Sequence, residues 1–169
     1  NRKWCTGANV LVLTGGCDTT NLFKTLPRQL DKSLEEDVSL HWVQGPFSSP
    51  PHLPKKQRLN WTTHSAPSSL DELIVQSNYV LTVFGVTFFE VLQYGVPSVV
   101  FSPYGEKDSE EMIALEKENV ACVSANAETA IEDLERLMKN DQLAKNFSKI
   151  ALEKMAVSGS QQLAKSVCL

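Results

Sequence analysis

Short, wholly apolar runs alternate along this chain with stretches in which apolar residues recur every three or four positions. "NVLVLT" (Asn9 to Thr14) is a continuous apolar strand, and the stretch from Thr20 to about Glu36 that follows "GGCD" has helical spacing. "VSLHWVQG" reads as a second strand and "RLNWTT" as a short third, reached through the loop "PFSSPPHLPKKQ". A helix at "SSLDELIVQS" leads to the strand "YVLTVF", and a helix over Val86 to Tyr94 runs into the strand "PSVVF". "DSEEMIALEKEN" is the next helix and "VACVS" the last strand. Two helices close the chain, one burying Ala127, Ala130, Ile131, Leu134, Leu137 and Met138, the other Leu143, Phe147, Ile150 and Ala151, each at spacings of three and four.

Strands that are apolar throughout, with no polar alternation, belong to a parallel sheet covered on both faces. Strand–helix alternation with short connections then predicts an α/β fold, a doubly wound, Rossmann-like parallel six-stranded sheet. Its strands are expected at Asn9–Thr14, Val38–Val43, Arg58–Trp61, Tyr79–Val83, Pro97–Phe101 and Val120–Val123. No internal repeat, low-complexity tract or interior linker divides the chain, so residues 1–169 are read as a single domain.

Composition narrows the partners. The 169 residues are 42% hydrophobic and 21% charged, enough for a sizeable core. A net charge of -4 argues against a nucleic-acid or anionic-membrane surface, which demands a basic patch. Lys55, Lys56 and Arg58 do cluster, but in a Pro-rich loop where a solvated turn is the simpler account. No apolar run approaches the ~18 residues of a transmembrane helix. No signal peptide opens the chain, which begins Asn-Arg-Lys-Trp and reads as an excised piece. Cys5, Cys17, Cys122 and Cys168 lack C-x-x-C spacing, pointing to reduced thiols, no metal and a cytoplasmic setting. In that setting the formal glycosylation acceptors Asn60-Trp-Thr and Asn146-Phe-Ser carry no meaning.

In a sheet of this kind, ligands bind beyond the carboxyl ends of the strands, where helix N-termini point outward. Two stretches qualify. In "TGGCDTTN", Gly15 and Gly16 allow close backbone approach and the next helix offers free N–H groups, which suits an anion. Asp18 would repel a phosphate, and a plain reading makes it a helix N-cap behind a tight turn. The stretch is neither a Walker loop nor a G-x-G-x-x-G. The second site is "VFGVTFFEVLQYGVP": Gly85 ends a strand, Val86 and Thr87 open a helix, and Glu90 stands one turn beyond Thr87 on the same face. Thr87 and Glu90 could form a capping box, or Glu90 could accept two hydrogen bonds from a vicinal diol such as a ribose.

"FGVTFFEVLQYGVPSVVFSPYGEKDSEE" resembles the nucleotide-sugar signature of the GT-B glycosyltransferase superfamily. Within it the stretch resembles the peptidoglycan N-acetylglucosaminyltransferase, the UDP-sugar hydrolase of pseudaminic acid biosynthesis and related spore-coat polysaccharide proteins. "GGCDTTNLFKTL" is similar to the Gly-Gly-Ser-Asp segment of the hydrolase branch, and "SGSQQLAKSV" to its Gly-rich C-terminal helix. The likeness covers nearly the whole chain, as the C-terminal half of a two-domain protein. It implies that Glu90 holds the ribose hydroxyls and that Thr87, with the Gly85 and Val86 backbone, holds the diphosphate. It also implies that Gly15 and Gly16 line the cleft and that the Thr62-Thr63-His64 region flanks uracil. Asp108, Glu110 and Glu111 would fall near the donor sugar. Relatives often carry Gln or Asn-Gln where this chain has Glu110-Glu111, and two carboxylates beside a diphosphate are repulsive. Cys17 replaces the commoner Ser. No catalytic residue can be named, since the acceptor half and its base lie elsewhere; of His41, His52 and His64, only His64 falls near the expected base pocket, and a loop histidine without chemistry is the plainer account.

The function expected from this is binding of a UDP-sugar, without further cofactor, by one half of a glycosyltransferase or nucleotide-sugar hydrolase in surface polysaccharide or sialic-acid-like sugar synthesis. Its partner would be an N-terminal acceptor domain, in the same chain or on a separate subunit. The alternative is a non-catalytic nucleotide-sugar-binding or partner-binding subunit of a split enzyme, which an exposed apolar patch around "GGCDTTNLF" would favour. A response-regulator or flavodoxin type is disfavoured, because "VLVLTGG" lacks the acidic cluster or hydroxyl-rich loop those use.

Overall fold

The computed structural model describes residues 3–156, so "SGSQQLAKSV" and Cys168 lie outside the described residues. Six strands form one sheet: β1 (Asn9–Leu13), β2 (Ser39–Gln44), β3 (Asn60–Ser65), β4 (Tyr79–Val83), β5 (Ser98–Phe101) and β6 (Cys122–Ser124). Every neighbouring pair is parallel, in the order β3-β2-β1-β4-β5-β6. The predicted α/β doubly wound sheet is therefore present, and its order reverses between β1 and β4.

The helices are α1 (Leu22–Ser33), α2 (Asp71–Gln76), α3 (Val86–Gln93), α4 (Ser109–Glu118), α5 (Ala127–Met138) and α6 (Asp141–Met155). One face of the sheet packs on α1 and α5, through Leu26 and Leu30 of α1 and Ile131, Leu134 and Leu137 of α5. The other packs on α2, α3 and α4, through Ile74, Phe88, Val91, Leu92 and Met112. α6 serves both: Ala144 and Phe147 join the first cluster and Ala151 the second. The central strands can be apolar on both sides because both sides are covered. Val10, Leu11, Val80, Leu81, Val99 and Val100 are all buried, each contributing about 1.5–3 kcal/mol on removal from water.

β3 starts two residues and ends four residues later than Arg58–Trp61 suggested, and it is a largely exposed edge of the sheet. Its start is displaced because residues 58 and 59 are occupied in tethering. The buried Asp31 carboxylate accepts from the Arg58 amide (3.1 Å), the Leu59 amide (3.2 Å) and Trp61 Nε1 (2.8 Å). Arg58 is exposed, as a solvated turn would have it, but it is also bonded. Its guanidinium donates to the carbonyls of Asp31 (2.9 Å) and Lys32 (2.8 Å), capping the end of α1 where a cation is favoured. The 45–59 connection thus rides over α1, and no helix is needed to carry the β2–β3 crossover.

Candidate functional site

The loops leaving the carboxyl ends of the strands are held together by contacts of their own. After β1, Gly15 turns the chain with φ +87°, a conformation that excludes most side chains. The carbonyl of Gly16 then accepts from the Phe47 amide (3.0 Å), docking this loop on the one after β2. The docking is so close that a Cβ on Gly45 would lie 2.4 Å from the Gly16 oxygen and 2.5 Å from the Gly15 oxygen. Across the sheet, Thr19 Oγ1 and the Tyr104 hydroxyl meet at 2.9 Å, joining the β1 loop to the β5 loop.

Asp18 decides what the start of α1 can do. Its buried carboxylate accepts from the amides of Leu22 (2.9 Å) and Phe23 (2.8 Å), although Asn21 occupies the N-cap position. The turn from Asp18 to Asn21, both with positive φ, folds the side chain back under the helix. Asp18 therefore caps from three residues further out than an N-cap would. The donors an external phosphate would need are taken by an internal anion.

The start of α3 is different. Gly85 is its N-cap, no side chain caps it, and Val86 is 79% exposed. Thr87 is the second helical residue, so it and Glu90 are not in capping-box register, and neither side chain makes such a bond. Glu90 is not buried among its aromatic neighbours: Phe88 points into the core while Glu90 faces outward. The helix solves the burial problem by rotation.

Between these elements, at the β1/β4 reversal, is an open cleft of about 230 Å³. It is lined by Leu13, Thr14, Gly15 and Gly16 of the β1 end, Val43, Gln44, Gly45 and Pro46 of the β2 end, Ala66, Pro67 and Leu70 beyond β3, and Thr87 of α3. The structure thus brings Gly15, Gly16 and Thr87 together. Glu90 stands one turn along α3, exposed and outside the lining, and Gly85 and Val86, which precede Thr87, are outside the lining as well. The lining carries no acid, base or thiol. The walls can position a ligand but hold no group able to move a proton.

Thr63 and His64 lie in β3, not in a loop. His64 Nε2 meets His41 Nδ1 at 3.1 Å, with the rings stacked 5.3 Å apart, and it faces a separate depression with Asp71 and Glu72. Burial, and then the neighbouring His64, hold the His41 imidazole below its usual basicity. Beside α3, the Tyr94 hydroxyl donates to Asp71 (2.7 Å), which lowers the Asp71 carboxyl and pushes the Tyr94 phenol up.

Asp108 is spent locally. Its carboxylate accepts from Ser102 Oγ (2.5 Å), which in turn accepts from the Tyr104 amide (3.0 Å). Glu110 and Glu111 are exposed in the first turn of α4, where a helix dipole favours carboxylates, and they are outside the cleft lining. Residues 14, 44–46, 66, 67 and 70 line the cleft without having been anticipated. The sheet rule that placed Gly15 and Gly16 applies equally to the end of β2, so Gln44–Pro46 were legible; Ala66, Pro67 and Leu70 carried no signal. Among the described residues no three His, Cys, Asp or Glu side chains are grouped to hold a metal, and no helix is long and apolar enough to cross a membrane. Cys5, Cys17 and Cys122 are free.

A parallel six-stranded sheet of this order, with helices on both faces, has the fold of the C-terminal domains of GT-B glycosyltransferases. Among solved structures, the glycosyltransferase SnogD from Streptomyces nogalater superposes with a TM-score of 0.67 at 15% identity, over 98% of this chain and 44% of that one. WaaG, a glycosyltransferase involved in lipopolysaccharide biosynthesis, gives 0.63 at 16% identity over 99% and 46%. Phytolacca americana UGT2, complexed with UDP-2fluoro-glucose and pterostilbene, gives 0.63 at 16% identity over 96% and 40%. The chain spans less than half the length of each of these proteins. No protein-family model and no curated protein sequence matches it.

Proposed function

We propose that this chain is the nucleotide-sugar-binding half of a GT-B-type glycosyltransferase or nucleotide-sugar hydrolase, and that its ligand is a UDP-sugar. The observation that carries the reading is the cleft at the β1/β4 reversal, where the Gly15–Gly16 backbone faces Thr87 at an uncapped helix N-terminus. The diphosphate would lie between Gly15–Gly16 and the first turn of α3, formed by Gly85, Val86 and Thr87. Two features favour α3 over α1 for this role: Asp18 fills the start of α1, and nothing fills the start of α3. Glu90, exposed one turn on, is free to accept from the ribose hydroxyls. The base would rest against Ala66, Pro67 and Leu70, immediately beyond Thr63 and His64. Asp108, Glu110 and Glu111, on the next loop and helix, would stand towards the donor sugar.

The absence of any titratable side chain from the lining fits a donor-binding half whose chemical partner, an N-terminal acceptor domain, is supplied in the same chain or by a separate subunit. The exposed apolar residues favour a covering partner as well: Phe47, Val86, Phe89 and Tyr104 ring the carboxyl edge, whereas in "GGCDTTNLF" Phe23 is buried and Leu22 half-buried. That arrangement serves a catalytic pair and a non-catalytic subunit alike. Surface polysaccharide or sialic-acid-like sugar synthesis, in the cytoplasm, is the setting the sequence resemblance supports.

Calorimetry with UDP, ADP, GDP and CDP tests the reading. UDP should bind most tightly. Equal affinity for all four, or none for any, overturns it.

A further inference from the structure

Thr14 directly follows β1 and lines the cleft beside Gly15, with only 5% of its surface exposed. Its hydroxyl is sealed from water and makes no hydrogen bond within the protein. A buried hydroxyl without a partner loses its hydration and gains nothing in exchange, so such groups call for an explanation. One other described side chain shares the condition, Ser98 Oγ in β5, but Ser98 borders none of the clefts described above. The orphan at the cleft and the orphan in the sheet interior therefore invite different accounts.

The surroundings of Thr14 say what would satisfy it. The cleft carries no charged side chain, and the far wall presents Thr87 and the uncapped first turn of α3. Those groups are donors, and Thr14 adds one more. One 120° step about χ1 carries a threonine hydroxyl into the position its methyl or its hydrogen held, so the hydroxyl can turn to a ligand without backbone movement. The preceding residue, Leu13, is paired with Val43 of β2 and Thr82 of β4, so the hydroxyl would be delivered from the first position beyond a rigid strand.

We propose that Thr14 is a specificity-determining contact of the cleft, its hydroxyl donating to a phosphate oxygen of the bound nucleoside diphosphate. The inference rests on the nucleotide reading of the cleft and adds a residue to it. Empty, the protein tolerates an unpaired hydroxyl; occupied, it regains that bond and discriminates for an acceptor-rich anion over an apolar ligand of similar size.

The test compares wild type, Thr14→Val, Thr14→Ser and, as control, Ser98→Ala, using UDP as the probe in calorimetry and the melting midpoint without ligand. Thr14→Val should weaken UDP by about ten-fold, the scale of one hydrogen bond to a charged group, while its own midpoint stays level or rises because the orphan is gone. Thr14→Ser should bind within about two-fold of wild type, and Ser98→Ala should leave affinity unchanged. Thr14→Ala, which cannot overpack, substitutes for valine if valine lowers the midpoint. Hydroxyl-less variants that bind UDP as tightly as a UDP-binding wild type would overturn the role of Thr14 and leave the nucleotide reading standing. A wild type with no affinity for UDP would overturn both.

Discussion

Replacing Gly45 with Ala asks whether the loops after β1 and β2 form one rigid unit that shapes the cleft. The new Cβ would lie 2.4 Å from the Gly16 oxygen, 2.5 Å from the Gly15 oxygen and 2.7 Å from the Gly16 carbonyl carbon. Ordinary contact begins about 1 Å further out, and all three obstacles are backbone, so no side chain can swing aside. Gly45 has no positive φ, so the effect is purely steric. Overpacking of this kind costs about 1–3 kcal/mol. Separating the loops would also break the Phe47 amide bond to the Gly16 carbonyl, adding about 0.5–1.5 kcal/mol. We expect a total loss of about 2–4 kcal/mol by urea denaturation, with UDP affinity reduced. Gly16→Ala is the matched control: a Cβ there meets nothing within 4 Å, so stability should hold within about 0.5 kcal/mol. If Gly45→Ala is as stable as Gly16→Ala and binds as well as wild type, the coupled-loop argument is wrong.

Glu90→Gln should lower UDP affinity by about ten-fold, since a neutral amide replaces the carboxylate we propose accepts from the ribose, while stability stays within about 0.5 kcal/mol because Glu90 is exposed and caps nothing. Unchanged affinity would remove Glu90 from the site. Acidification should act through His41, whose folded form binds its proton less readily than the usual value of about 6.5. The unfolded chain then takes up the proton first, so this contribution to stability is complete above pH 6.5 and is lost as pH falls through that value towards the lower folded one. Urea midpoints at pH 7.5 and pH 5 should fall further for wild type than for His41→Gln, and parallel losses would show that the histidine pair is not responsible.

The sequence alone determined the layering of this protein. Runs such as "NVLVL" and "YVLTV" have no polar face, and a strand without one must be covered twice, which requires a parallel sheet between helices. The three-and-four spacing of Ile131, Leu134 and Leu137 likewise named the buried face of α5 before any neighbour was known. The sheet rule also pointed to Gly15, Gly16 and Thr87 as residues at the carboxyl edge. These are local or near-local properties, readable because each depends on periodicity within one element.

Tertiary structure decided the rest. Asp18 read as an N-cap from its place in the chain, but only the turn through Asn21 shows its carboxylate reaching Leu22 and Phe23 and so closing α1 to anions. Thr87 and Glu90 have capping-box spacing, and the register of α3, set by burial of Phe88 and Val91, makes Gly85 the cap instead. His64 looked like a loop residue near a base; pairing of β3 with β2 places it in a strand against His41. Thr14 drew no notice at all, because a threonine ending an apolar run says nothing of whether its hydroxyl finds a partner. That depends on atoms from β2, β4 and α3, brought around residue 14 only by the packing of elements distant in sequence.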